Sequence, residues 1–218
     1  MITVYLNFSE LASWLMIERL KKVSVEKKIT FAWRPMLRSL GNVAGSNLKN
    51  DQDDPLQSYK LRRADARYKA ARRENERMCE MLGITSYQGA RKIDPLYLSL
   101  GLVWLTKEQA TLPQFLSFAS AAFIKTFLEQ AEVESLTGLK NILHECAFKT
   151  KGLELFLEKK ALDPKVVWDE ALSSGVFTSP AFLVNDEVFL GREHLPLIEW
   201  LITGKQDTVM TKKVGLIS

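Results

Sequence analysis

Cysteine and histidine are scarce: two of each stand among the 218 residues. Cys79 and Cys146 lie far apart, and neither belongs to a Cys-x-x-Cys pair. Both sit in apolar or helical-looking surroundings, RMCEM and HECAF. That pattern predicts two reduced thiols rather than a disulfide, and with them a cytoplasmic setting. His144 and His194 are too few and too separated for a zinc site of ordinary spacing. No apolar run approaches the ~18 residues of a membrane-spanning helix. The first residues, MITVYLNFSE, lack a basic stretch followed by a small-residue cleavage site, so no secretory signal is expected. Internal repeats and low-complexity segments are absent too.

What is present is ordinary for a globular protein: 46% hydrophobic and 26% charged residues. The charge is uneven. From Ser58 to Arg77 eight basic residues (Lys60, Arg62, Arg63, Arg67, Lys69, Arg72, Arg73, Arg77) face three acids (Asp65, Glu74, Glu76). This window carries +5 of a net +4, leaving −1 for the rest. The basic character therefore belongs to one segment.

Periodicity divides the chain into three parts. Residues 2–8 read as a strand and 10–23 as a helix with Leu11, Trp14, Leu15, Ile17 and Leu20 on one face. Residues 29–34 read as a second strand, ended by Pro35. A strand-helix-strand run of this length predicts two parallel strands with a right-handed crossover. Residues 36–55 read as a loop. Asp53-Asp54-Pro55 signals a helix start, and a helical period runs from Leu56 to Leu82, where Gly83 stops it. Helices are expected over 96–105, 113–132, 137–147, 153–160 and 165–174, the last capped by Asp163-Pro164. GVFTSPAFLVNDEVFLG then reads as a β-hairpin turning at Asn185-Asp186. Residues 193–202 read as a closing helix. The order β-α-β, helical block, β-β-α predicts an α/β chain of thioredoxin-like architecture with an inserted α-helical domain. The expected boundaries are 1–35 and 150–205 for the thioredoxin-like part, 36–149 for the insert and 206–218 for a tail.

Two places look chemical. At TVYLNFSELASWLM a strand runs straight into a helix N-terminus, where free N–H groups and the positive end of the helix dipole meet. At Thr178-Ser179-Pro180 a proline precedes a β-run. Taken together, VYLNFSELASWLMIERL, GVFTSPAFLVNDEVFLGREHL and the helical block resemble the 2-hydroxychromene-2-carboxylate isomerase and kappa-class glutathione transferase family. The resemblance is specific at the two ends and matches the middle in helical content and length. It implies a cis bond before Pro180, glutathione bound across Ser179-Pro180 and the first helix start, a small hydrophobic or aromatic substrate, and a homodimer.

The family's first turn carries a serine that faces the glutathione sulfur. Ser13, Trp14, Leu15 and Glu18 match the family, but Glu10 falls on that serine and Leu11 on the proline after it. Shifting the register by one residue puts Ser9 in the role and breaks the Ser13-Trp14 match. Ser9 and Glu10 are therefore the candidate catalytic residues. A serine hydroxyl donates to a thiolate and lowers its pKa; a carboxylate opposes it by like-charge repulsion. The plainer readings are an N-cap for Ser9 and a dipole-complementing acid for Glu10. As a general base, Glu10 would suit an isomerase that moves protons. The family's Gly-x-Asp-Arg stretch, which holds the γ-glutamyl group, corresponds to Gly191-Arg192-Glu193-His194. Candidate cofactor-binding residues are thus Ser179, Pro180, Arg192, Glu193, Asn47 and Lys60, with Asn50, Arg62, Arg63 and Arg67 as further choices. The basic segment reads first as a solvated face, and nucleic acid is not the expected partner. The alternative to a glutathione-dependent enzyme is a thioredoxin-fold binding protein that has lost its thiol chemistry. A disulfide oxidoreductase is opposed by the lack of any cysteine between Asn7 and Trp14.

Overall fold

In the computed structural model, residues 2–26, 31–37, 55–84, 92–159 and 162–202 are described. Strand β1 (Ile2–Leu6) leads into α1 (Leu11–Glu26), and β2 (Phe31–Pro35) follows. β2 pairs in parallel with β1, Ile2 opposite Phe31 and Leu6 opposite Pro35. The proline thus closes the strand from within it. β2 lies at the sheet edge, where a missing N–H costs no ladder bond. Met36 extends the pairing by one bond, its N–H donating to the Leu6 carbonyl at 2.8 Å.

The helical block comprises α2 (Pro55–Leu82), α3 (Leu96–Lys107), α4 (Leu112–Phe127), α5 (Leu136–Glu145) and α6 (Leu153–Lys159). α4 stops five residues short of the expected end. Gln130 takes φ 50°, and the Ala131 N–H turns back to the Lys125 carbonyl at 2.9 Å. This left-handed closure has no glycine to announce it. α5 starts at a Ser135 cap that accepts from Gly138 N–H at 3.1 Å. α7 (Pro164–Ser173) starts at Asp163, whose carboxylate accepts from Lys165 N–H at 2.8 Å.

The hairpin is β3 (Ala181–Val184) and β4 (Glu187–Leu190). Its turn residues Asn185 and Asp186 have φ 49° and 68°, the pair of positive angles that a type I′ turn needs. The four strands lie in the order β2-β1-β3-β4, with β3 antiparallel to both of its neighbours. A 3-10 turn (Arg192–His194) and α8 (Leu195–Ile202) close the described chain. The expected segment 193–202 is therefore split, and its first two residues, Glu193 and His194, are not α-helical.

One apolar core joins the sheet to the helical block. Phe8, fully buried, meets Phe123 at 5.1 Å and Phe118 at 5.9 Å between ring centroids. Trp14 stacks on Phe127 at 5.9 Å, and Trp33 on Phe115 at 5.7 Å. Burying a side chain of this size contributes about 2–3 kcal/mol. A polar network adds direction: Glu18 accepts from Trp14 Nε1 at 3.2 Å and from Ser120 Oγ at 2.9 Å, and pairs with Lys21 at 2.7 Å. α1 is thereby pinned against α4, which fixes where its N-terminus lies. Among the described residues no helix is long and apolar enough to cross a membrane, and both cysteines are free thiols.

Candidate functional site

The turn between β1 and α1 is built on Asn7. Its side chain is buried, and its Oδ1 accepts from the Ser9 N–H at 2.9 Å and from the Ser9 hydroxyl at 2.8 Å. The Ser13 hydroxyl faces the Asn7 N–H at 3.4 Å, and the Glu10 N–H donates to the Asn7 carbonyl at 3.2 Å. Asn7 thus folds the chain back by an Asx turn. Ser9 is not the helix cap; its hydroxyl serves Asn7. The residue before the helix is Glu10, whose carbonyl accepts from the N–H groups of Ser13 and Trp14. The N–H groups of Leu11 and Ala12 belong to the first turn, which a helix leaves without internal acceptors.

The second half of the site arrives from the far end of the sequence. The Ser179-Pro180 bond is cis. Both residues are buried, and β3 begins immediately after them. Because β3 pairs with β1, the cis-proline comes to the start of α1. The Ser179 hydroxyl donates to the Glu10 carboxylate at 2.5 Å across 169 residues of sequence. This is the short range of an O–H to carboxylate bond, about 2.5–2.7 Å. Of the two serine-register candidates, Glu10 is the one that meets the cis-proline loop.

The turn after β4 completes the surroundings. Gly191 N–H donates to the Pro180 carbonyl at 2.8 Å. Gly191 has φ 104°, and the Glu193 carboxylate lies against its Cα where any side chain would stand. The positive φ favours glycine there, while the Glu193 carboxylate, the far end of a flexible side chain, can swing aside. Glu193 itself is exposed. The Arg192 guanidinium pairs with Glu74 of α2; its side chain is only 15% exposed against 65% for Glu74. The sequence had offered Arg192 to a ligand; its partner here is an acid on the basic helix. Lys60 is exposed on α2, 14 residues before Glu74. Asn47 and Asn50 lie outside the described residues. The His194 ring lies 5.9 Å from that of Phe189.

The rest of the chemistry is quiet. Burial pushes the Cys79 thiol up, and Glu76 adds to the effect. Burial also pushes up Cys146, against a hydrogen bond from Ser117. Neither is an activated thiolate. Among the described residues no group of histidine, cysteine, aspartate or glutamate could hold a metal ion.

No protein-family model matches the chain, and no curated protein matches it. Solved structures do. The chain is similar to a 2-hydroxychromene-2-carboxylate isomerase over 100% of its length and 99% of that chain, with TM-score 0.66 and 17% identity. A candidate DsbA oxidoreductase from Streptomyces coelicolor matches at TM-score 0.60 and 13% identity, over 95% of this chain and 92% of that one. A candidate protein disulfide isomerase from Nitrosomonas europaea matches at TM-score 0.57 and 10% identity, over 93% and 97%. The chain has the DsbA-like thioredoxin fold with a helical insertion, the fold of 2-hydroxychromene-2-carboxylate isomerase.

Proposed function

We propose that this chain is an isomerase-type enzyme that binds glutathione at Ser179-Pro180 and the start of α1, and acts on a small hydrophobic or aromatic substrate. The observation that carries the reading is the Glu10–Ser179 pair: a half-buried carboxylate held by a hydroxyl beside a cis-proline, at the N-terminus of a 16-residue helix. A carboxylate does not serve there as a serine hydroxyl does. It serves as a base. The S–H bond of an arriving thiol breaks, the proton passes to a Glu10 oxygen, and the electron pair stays on sulfur beside the positive end of α1. Neutral Glu10 no longer repels the thiolate, and its O–H is the acid that returns the proton. Disulfide exchange, the chemistry in the names of two of the similar proteins, has no carrier: residues 7–14 hold no cysteine, and burial pushes both thiols of the chain up. By the same family resemblance the enzyme works as a homodimer.

A second reading has its own observation. Glu10 and Ser179 bind each other where a thiol would lie, and the Ser9 hydroxyl is held by Asn7. A site occupied by its own side chains suits a binding protein that kept the fold and lost the thiol chemistry. A spectrophotometric assay of glutathione-dependent cis–trans isomerisation of conjugated aromatic acids separates the two. The enzyme reading expects turnover that falls at least ~10²-fold in Glu10→Gln, the usual cost of losing a general base. Glutathione binding with no turnover on any such acid favours the binding protein.

A further inference from the structure

The basic segment becomes something more definite once folded. α2 is 28 residues long and joins the apolar core only near its C-terminal end, where Cys79 is buried and Met78 and Leu82 pack beside it. Of the described side chains from Leu56 to Glu74, none is buried. Tyr59 and Tyr68 are 54% and 64% exposed. At ~1.5 Å per residue this bare stretch is ~28 Å of helix.

Two of its cations are neutralised along the helix, Lys69 by Asp65 at 2.7 Å and Arg72 by Glu76 at 2.8 Å. The other six are Lys60, Arg62, Arg63, Arg67, Arg73 and Arg77. None of them has an ion pair among the described residues. Lys60, Arg63 and Arg67 follow one another at spacings of three and four. Arg62, Arg73 and Arg77 lie in the adjacent row. At ~100° per residue the six span an arc of roughly 160°.

These features select an occupant. A second copy would bring +5 against +5 and repel it. A helix lying in a membrane surface buries a face of leucine, phenylalanine or tryptophan beside its cations, and from Lys60 to Arg77 α2 carries one leucine, Leu61, and no phenylalanine or tryptophan. The cations form two rows along the helix, as the phosphates do along the two edges of a duplex groove. The major groove of B-form DNA, about 12 Å wide, admits one α-helix between two rows of phosphates, whereas the A-form groove is too narrow. Five of the six cations are arginines, whose planar fork pairs with phosphate in bidentate fashion. We propose that the exposed basic face of α2 from Lys60 to Arg77 binds DNA and contacts the phosphates of the B-form major groove through Lys60, Arg62, Arg63, Arg67, Arg73 and Arg77, without sequence preference. The proposal is independent of the thiol site.

Fluorescence anisotropy tests it, with the full chain and a labelled random-sequence duplex of about 20 base pairs, roughly two turns. Six phosphate contacts predict an affinity that falls about 10³-fold between about 50 and 200 mM salt. The triple variant Arg62→Gln, Arg63→Gln, Arg67→Gln keeps good helix formers and is checked by circular dichroism. It is expected to bind more than tenfold more weakly at the lower salt and to halve the log–log slope. Three results overturn the proposal. One is no binding by the wild type at ~50 mM salt. Another is undiminished binding by a folded triple variant. The last is tighter binding to anionic phospholipid vesicles than to the duplex.

Discussion

Removing the Ser179 hydroxyl tests the site where its two halves meet. Ser179 is 6% exposed and donates to the Glu10 carboxylate at 2.5 Å. A hydrogen bond to a charged group contributes roughly 1.5–3 kcal/mol net. Glu10 is half-buried, so water recovers part of its loss, and the lower half of that range applies. Ser179→Ala should therefore cost about 2 kcal/mol. For a chain of this length that is a fall of about 4–8 °C in Tm. Glu10→Ala removes the same bond together with a favourable charge at the α1 N-terminus, worth about 0.3–1 kcal/mol. It should cost slightly more than Ser179→Ala alone. The double variant should cost little beyond Glu10→Ala, because the bond is lost only once. Urea unfolding of the four proteins closes the cycle, and the expected coupling is about 1.5 kcal/mol. Additive losses, with coupling below about 0.5 kcal/mol, would refute a direct Glu10–Ser179 bond and the site built on it.

Three other perturbations probe the frame that holds the site. A Cβ on Gly101 would stand 2.6 Å from both Leu139 Cδ1 and Phe118 Cζ, so Gly101→Val should overpack the α3–α5 contact and lower the urea midpoint by the equivalent of about 1–3 kcal/mol; an unchanged midpoint contradicts this packing. Arg192→Ala removes the ion pair between the site and Glu74 of α2, and should raise protease cleavage within α2 while leaving the β-sheet resistant; equal cleavage of both proteins argues against the tie. Burial raises the Cys79 and Cys146 thiols above their ordinary 9.0. Folded protein at pH 8 should therefore react with iodoacetamide at least ~10-fold more slowly than unfolded protein. The linked stability is fully present below pH 9.0 and is lost as pH rises through the folded-state values. A flat urea midpoint between pH 8 and pH 11 would speak against it.

Local rules recovered what local rules control. The β-prone runs of β1 and β2, the Asp163-Pro164 helix start and the Asn185-Asp186 turn each carry their cause within a few residues. α4 misled because its left-handed terminator is Gln130, a residue type with no strong preference for φ 50°. Pro35 was readable as the end of a strand, but its place inside the ladder depended on β2 lying at the sheet edge. The site was legible in its parts and not in its contacts. Glu10 and Ser179 could each be named, yet their bond spans 169 positions and exists only because β3 pairs with β1. Arg192 and Glu74 likewise meet across 118 positions of sequence. Asn7 was overlooked as a builder of the site. The signal was there, since an asparagine two residues before a serine at a strand end is an Asx-turn pattern.

Calorimetric titration of glutathione into the wild type and into Glu10→Ser at neutral pH tests the central claim most directly. A carboxylate that accepts the thiol proton leaves the wild type able to bind, with Kd in the micromolar to millimolar range and a binding enthalpy that does not change with the buffer's ionisation enthalpy, because the proton passes from sulfur to Glu10 within the complex. No binding by the wild type, with binding restored in Glu10→Ser, would contradict it: the thiol site would then be inherited and closed by Glu10.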